Sequence, residues 1–175
     1  MQIVEPNTGA TLPPNTEGEL VVRGSSVMRT YYKVARSDCF DPEGFFHTGD
    51  CASIDEAGLL HFVGRIKDVI KTAGVNVAAA EVEAALMAHP GVKVAHVVPV
   101  PHATRGENIA AFVVPRDVTV AEADLLAHCR QQLAAYKVPR HLFLITEQEL
   151  PVLGSGKVNR QELRTLARSR VQREP

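Results

Sequence analysis

A mixed α+β fold is predicted for this chain, on three observations. The first 64 residues carry short alternating apolar runs broken by Pro, Gly, Asp and Asn. Beyond about Arg65, strand-like runs alternate with stretches of helical period. Apolar residues at 45% against 22% charged are the proportions of a globular protein with a core. The expected architecture is a β-rich segment over 1–66, followed by a small α+β unit over 67–175 with a three-stranded sheet flanked by helices.

Taken in order, residues 1–18 are rich in Pro, Thr, Asn and Gly and read as a loop, with at most a short strand at 2–4. Residues 19–23 put Leu20 and Val22 on one face, as a half-buried strand does. The run 40–44, Phe-Asp-Pro-Glu-Gly, is turn chemistry. Residues 52–54 and 59–63 flank Asp55-Glu-Ala-Gly58 and predict a hairpin. Alternation over 68–73, with Gly74 able to turn, is compatible with a further short strand in a basic hairpin. A helix is expected over 79–89, with Glu81 and Glu83 in its first turns, an apolar stripe of Val82, Ala85 and Leu86, and Pro90 as terminator. Residues 92–100 and 108–114 read as strands. A second helix is expected from Thr119, where Thr119-Val-Ala-Glu122 has the pattern of a capping box, with Leu125, Leu126, Cys129 and Leu133 on its inner face. A third strand covers 142–145. The last helix starts near Asn159, with Glu162 three residues on, and buries Leu163, Leu166 and Ala167.

Charge excludes some partners. Nineteen basic and twenty acidic residues leave a net charge of −1, so no nucleic acid or anionic membrane is implied as a partner. The one asymmetry, a basic run over 164–173, reads as a solvated terminal helix. No apolar run approaches the ~20 residues that span a bilayer. Three cysteines cannot all pair and form no CxxC unit, which points to a reducing, cytoplasmic setting. Seven histidines show no metal-ligand spacing, so no metal site is expected.

Several residues could carry chemistry. Asp50, after Thr48-Gly49, could accept two hydrogen bonds from a vicinal diol, or could only shape an Asx turn. Arg65 is a planar, permanently charged donor fork, or a surface residue at a strand end. Lys157 follows Gly154-Ser-Gly156, where an ammonium could stabilise charge developing in a transition state. Its run ends like a P-loop, but Val158 stands where that motif needs Ser or Thr. Lys71, Gly74 and Asn76 cluster ahead of the helix, and Asn76 and Glu81 could equally cap it.

Five stretches fall in a telling order. They are Gly18-Glu-Leu-Val-Val-Arg-Gly24, Gly44-Phe-Phe-His-Thr-Gly-Asp50, the run from Val63-Gly-Arg-Ile-Lys67 through Glu81-Val-Glu83, Leu133-Ala-Ala-Tyr-Lys-Val-Pro-Arg140 and Leu150-Pro-Val-Leu-Gly-Ser-Gly-Lys-Val-Asn-Arg160. Together they resemble the last motifs of the adenylate-forming superfamily, which holds acyl-CoA synthetases, peptide-synthetase adenylation domains and luciferase. The resemblance covers only the family's C-terminal third; nothing matches its phosphate loop or acyl pocket.

The resemblance implies a division of labour. Residues 1–66 would be the β-rich end of a large adenylating domain, and 67–175 a small lid domain that turns about Lys67. Asp50 and Arg65 would hold the nucleotide ribose, and Lys157 would serve acyl-adenylate formation. After the turn, Lys71 and Gly74 would face the site, Gly74 lining the channel for the pantetheine arm of CoA, with Asn76 of the same segment on the cofactor side. Ala73 departs from the family, where Gly is common. The implied reaction is that of an acyl-CoA synthetase of fatty-acid type: a carboxylic acid, ATP and Mg²⁺ give an acyl-adenylate, whose acyl group passes to CoA. The chain alone would be inactive without the missing N-terminal domain. The alternatives are a peptide-synthetase adenylation domain, disfavoured by the short stretch after Lys157 and by the wording of 74–83, and a non-catalytic module that binds nucleotide or a partner protein.

Overall fold

The computed structural model describes residues 1–117 and 119–173. The chain divides into two compact units, Met1–Lys67 and Asp68–Pro175.

The first unit is an antiparallel four-stranded sheet in the order β1 (Gln2–Val4), β2 (Gly18–Val22), β3 (Phe46–Ile54), β4 (Leu60–Arg65). β2 departs from the half-buried pattern expected of it. Leu20 and Val22 pack with Ile3, Ala52, Leu12 and Ile54, while Val21 packs on the opposite face with Val4 and Phe45. The returning loop, where Leu12 donates its N–H to the Ile3 carbonyl, covers one face, and Val4 and Phe45 cover the other. The predicted hairpin at 55–58 joins β3 to β4, and β3 begins earlier than expected, taking in the segment 46–50.

The second unit is α+β. Its sheet contains the three predicted strands as β7 (Val92–His102), β8 (Gly106–Pro115) and β9 (His141–Leu144). The basic hairpin β5 (Val69–Thr72) and β6 (Val75–Ala78) extends it to five. β7 takes one edge of β8. The other edge is shared: β5 meets it at Gly106, and β9 runs parallel to it over 110–113. β8 is buried on both faces, which is why its sequence is a continuous apolar run rather than an alternating one. Ile109, Ala111 and Val113 face α1 (Ala79–Met87) and α2 (Glu122–Gln132), packing with Val82, Leu86, Leu125 and Cys129. Ala110, Phe112 and Val114 face α3 (Arg160–Val171), packing with Leu163 and Ala167. A register shift between Val92 and Val94 lets β7 serve the same two faces.

Helix ends explain two further differences. The capping box expected at Thr119 does not form. Thr119 turns its hydroxyl and its N–H onto Asp117, and α2 starts from Ala121 with no side-chain cap. The short Asx-type bond outcompetes the longer reach to the helix. At α3 the expected cap does form: Asn159 accepts from the Glu162 N–H at 3.2 Å. The basic run 164–173 is not simply solvated. Arg164 pairs with Asp68 at 3.2 Å, and Arg170 pairs with Glu149 while lying over the rings of Phe112 and Phe143.

Candidate functional site

In the first unit, a bulge aims Asp50. On β2, Glu19 pairs with Cys51 and Val21 with His47, so Leu20 alone stands opposite Thr48, Gly49 and Asp50. The surplus backbone loops out, and Gly49 takes φ +70°, a conformation costly for other residues. The loop is braced from below. Buried Glu19 accepts the Gly49 N–H at 3.1 Å and meets His47 Nδ1 at 2.9 Å. The Thr48 hydroxyl donates to the Leu20 carbonyl at 2.6 Å and accepts from the Asp50 N–H at 3.0 Å.

Asp50 and Arg65 are register partners across β3 and β4. Arg65 Nη1 donates to the Thr48 carbonyl at 2.8 Å, and its Nε lies 3.0 Å from Asp50 Oδ1. That approach is Coulombic rather than aligned, for Asp50 Oδ1 is screened from solvent and has no hydrogen-bond donor. A buried carboxylate oxygen without an aligned donor is uncommon. Beside the pair opens a groove of about 480 Å³ lined by Pro6, Glu19, Thr48, Gly49, Arg65, Ile66 and Lys67. Lys67 sits in the short 3₁₀ turn Ile66–Asp68 that ends this unit.

In the second unit, Lys71 and Asn76 face each other as register partners near the end of the β5–β6 hairpin, both exposed. Ala73 (φ +50°) and Gly74 (φ +79°) form the turn. Successive positive φ values define the twisted two-residue turn that suits a hairpin. The β7–β8 connection supports it: Glu107 accepts the Lys71 N–H at 2.8 Å, and the Arg105 carbonyl accepts the Ala73 N–H at 2.9 Å.

Lys157 lies exposed on a second small hairpin. Val152 bridges Val158, Leu153 donates its N–H to the Lys157 carbonyl at 2.7 Å, and Gly156 donates to the Leu153 carbonyl at 2.8 Å. The structure therefore brings together Asp50 with Arg65 in one unit, and Lys71, Gly74 and Asn76 on one hairpin of the other. Lys157 stands on a hairpin of its own.

Sequence reasoning passed over the residues that hold these groups in place. Glu19 braces the Asp50 loop, Glu107 braces the Lys71 hairpin, and Lys137 pairs with Glu81 at 2.6 Å. Glu83, read as a first-turn acid, is buried and bonded to Arg160. A signal for it existed: Ala79, Val82, Glu83 and Leu86 are the i, i+3, i+4, i+7 positions of an inward face. Among the described residues no cluster of His, Cys, Asp and Glu could hold a metal ion, and no helix is long and apolar enough to cross a membrane. All three cysteines are free thiols.

The bulged β unit carries Asp50 and Arg65, and the α+β unit carries two lysine-bearing hairpins. Residues 81–157 match the AMP-binding enzyme C-terminal domain family, and the chain resembles the C-terminal third of acyl-CoA synthetases of the adenylate-forming superfamily. It is 42% identical over 163 residues to a long-chain-fatty-acid–CoA ligase of Escherichia coli, a match covering 91% of this chain and 28% of that protein. The ATP-bound structure of MatB from Rhodopseudomonas palustris superposes with a TM-score of 0.76 at 36% identity, covering 94% of this chain and 33% of the other. The o-succinylbenzoate CoA synthetase MenE from Bacillus subtilis, in complex with the acyl-adenylate OSB-AMP, superposes at 0.79 and 32% identity, covering 93% and 33%. The chain thus spans about a third or less of the length of these relatives.

Proposed function

We propose that this chain is the C-terminal third of an ATP-dependent acyl-CoA synthetase, contributing to both the adenylation and the thioester-forming half-reactions. The observation that carries the reading is the match to CoA ligases, which runs through both units and so includes both the Asp50–Arg65 pair and the lysine hairpins. Asp50 would accept the ribose hydroxyls, with Arg65 fixing the carboxylate and adding a positive field. Lys157 would place its ammonium where charge grows as the acid carboxylate meets the α-phosphate. Lys71, Gly74 and Asn76 would serve the CoA side after residues 67–175 turn about Lys67, whose place at the end of the first unit supports a hinge there. ATP and CoA are the expected cosubstrates. Mg²⁺ would arrive on the nucleotide's phosphates, since the described residues offer it no cluster of ligands. The acid is set elsewhere: relatives named for long-chain fatty acids and for o-succinylbenzoate share this same third.

The test is a chimera in which this chain replaces the C-terminal third of R. palustris MatB. Lys157→Ala should lower adenylate formation by ~10²–10³ while sparing thioester formation from pre-made acyl-adenylate. Lys71→Ala should show the reverse, and the 175-residue chain alone should release no AMP. Equal losses in both half-reactions for both variants would overturn the assignment.

A further inference from the structure

Glu83 and Arg160 pair across 77 positions of sequence, in a place where a charge is expensive to bury. The Glu83 carboxylate is largely enclosed and Arg160 is about one-third exposed. Arg160 Nη2 donates to Glu83 Oε1 at 2.8 Å, and Nη1 donates to the Val97 carbonyl at 3.1 Å. The Val97 N–H returns to Glu83 Oε1 at 2.9 Å. Carboxylate, guanidinium and the backbone N–H and C=O of one β7 residue thus close a triangle, tying the first residue of α3 to both α1 and β7. A guanidinium fork can span two acceptors in this way, which an ammonium does with far less geometric definition.

Arg160 lies three residues beyond Lys157, and no slack separates them. Val158 is bridged to Val152, and the Asn159 N–H donates to the Pro151 carbonyl at 2.8 Å while its side chain caps α3. The base of the Lys157 hairpin is therefore continuous with the clamped turn. The Lys157 side chain itself makes no hydrogen bond or ion pair with the described residues, so its position is set through the backbone.

We infer that the Glu83–Arg160 pair positions the Lys157 hairpin, acting through it on adenylate formation and not on thioester transfer. This rests on the role given to Lys157 above. His96 completes the surroundings of the pair, its Nδ1 4.0 Å from Glu83 Oε1.

Two measurements test it. On the 175-residue chain, backbone amide exchange is read at Gly156 and Asn159 in Arg160→Lys, Glu83→Gln and a control, Leu163→Ala. The control thins the apolar packing of α3 against the sheet and removes neither charged side chain. Both pair variants should speed exchange at these amides by ~10-fold or more, and the control should not, though it loses as much thermal stability. Unchanged exchange in the pair variants, the same increase in the control, or an Arg160→Lys chain that fails to fold where Leu163→Ala folds would each overturn the positioning role. In the MatB chimera, Arg160→Lys should lower kcat for adenylation by ~10–10²-fold with little change in KM for ATP, and leave thioester formation intact. Should Lys157→Ala itself leave adenylation intact, the reading of Lys157 falls, while the exchange data still judge the clamp.

Discussion

The β5–β6 turn offers a prediction whose sign can be worked residue by residue. Ala73 and Gly74 both lie in the left-handed region, at φ +50° and +79°. No heavy atom stands within 4 Å of a Cβ built on Gly74, so Gly74→Ala meets no neighbour. Its cost is the backbone's alone, ~1–2 kcal/mol for an L side chain in this region. A stiffer unfolded chain returns ~0.4–1 kcal/mol of that. Gly74→Ala should therefore destabilise the second unit by about 1 kcal/mol. Ala73→Gly reverses both terms and should stabilise it by a similar amount, while the exchanged pair Ala73→Gly/Gly74→Ala should return close to the starting value. Among the described residues the three α-helices belong to the second unit, so helical circular dichroism reports its unfolding. For a unit of this size each kcal/mol moves Tm by about 4–8 °C. Opposite shifts of the two single variants are expected in a thermal scan. If both lower Tm, or if Gly74→Ala is neutral, the turn does not hold the strained conformation from which the numbers were worked.

The remaining predictions concern titration and thiol access. His96 is pushed below its usual 6.5, first by burial and then by Arg160, with Glu83 opposing. The unfolded chain therefore takes up the proton first as pH falls, so stability is level above pH 6.5 and is lost below it as His96 is forced to charge. The Tm of the second unit should fall as pH drops below 6.5, and His96→Gln should flatten part of that fall; an identical slope in the variant would rule His96 out as its source. Burial pushes the Cys129 thiol up, and Cys51 is also buried, whereas Cys39 is partly exposed. Iodoacetamide should modify Cys39 well before the other two in the folded chain, as mass spectrometry of peptides would show. Equal rates at Cys39 and Cys129 would mean that the α2 face is open.

Local pattern was a sound guide wherever one face or one period decided an element. The hairpin at 55–58, the helix caught between Pro90 and the β6 hairpin, and the Asn159 cap each rest on a few neighbouring residues. Pattern misled where a closer bond was on offer, as at Thr119, whose hydroxyl went to Asp117 two residues away. It also misled where remote chain covered a second face, as on β2. The motif residues Asp50, Arg65, Lys71 and Lys157 were singled out by their resemblance to a family's motifs rather than by local pattern. The residues that brace them were not, because a buried acid and a solvated acid look alike in a helix or strand.

By itself, then, the sequence determined the α+β class, the order of the elements and the groups available for chemistry, since periodicity and residue type are local properties of the chain. Only the tertiary structure decided that Glu19 lies beneath Gly49, 30 residues away, and that Glu83 reaches Arg160 over 77. The reason is physical. Whether an acid stays in water or is buried depends on a partner that arrives only when the sheet has formed. Burying Glu83 would cost several kcal/mol without the guanidinium and the Val97 N–H that folding brings to it.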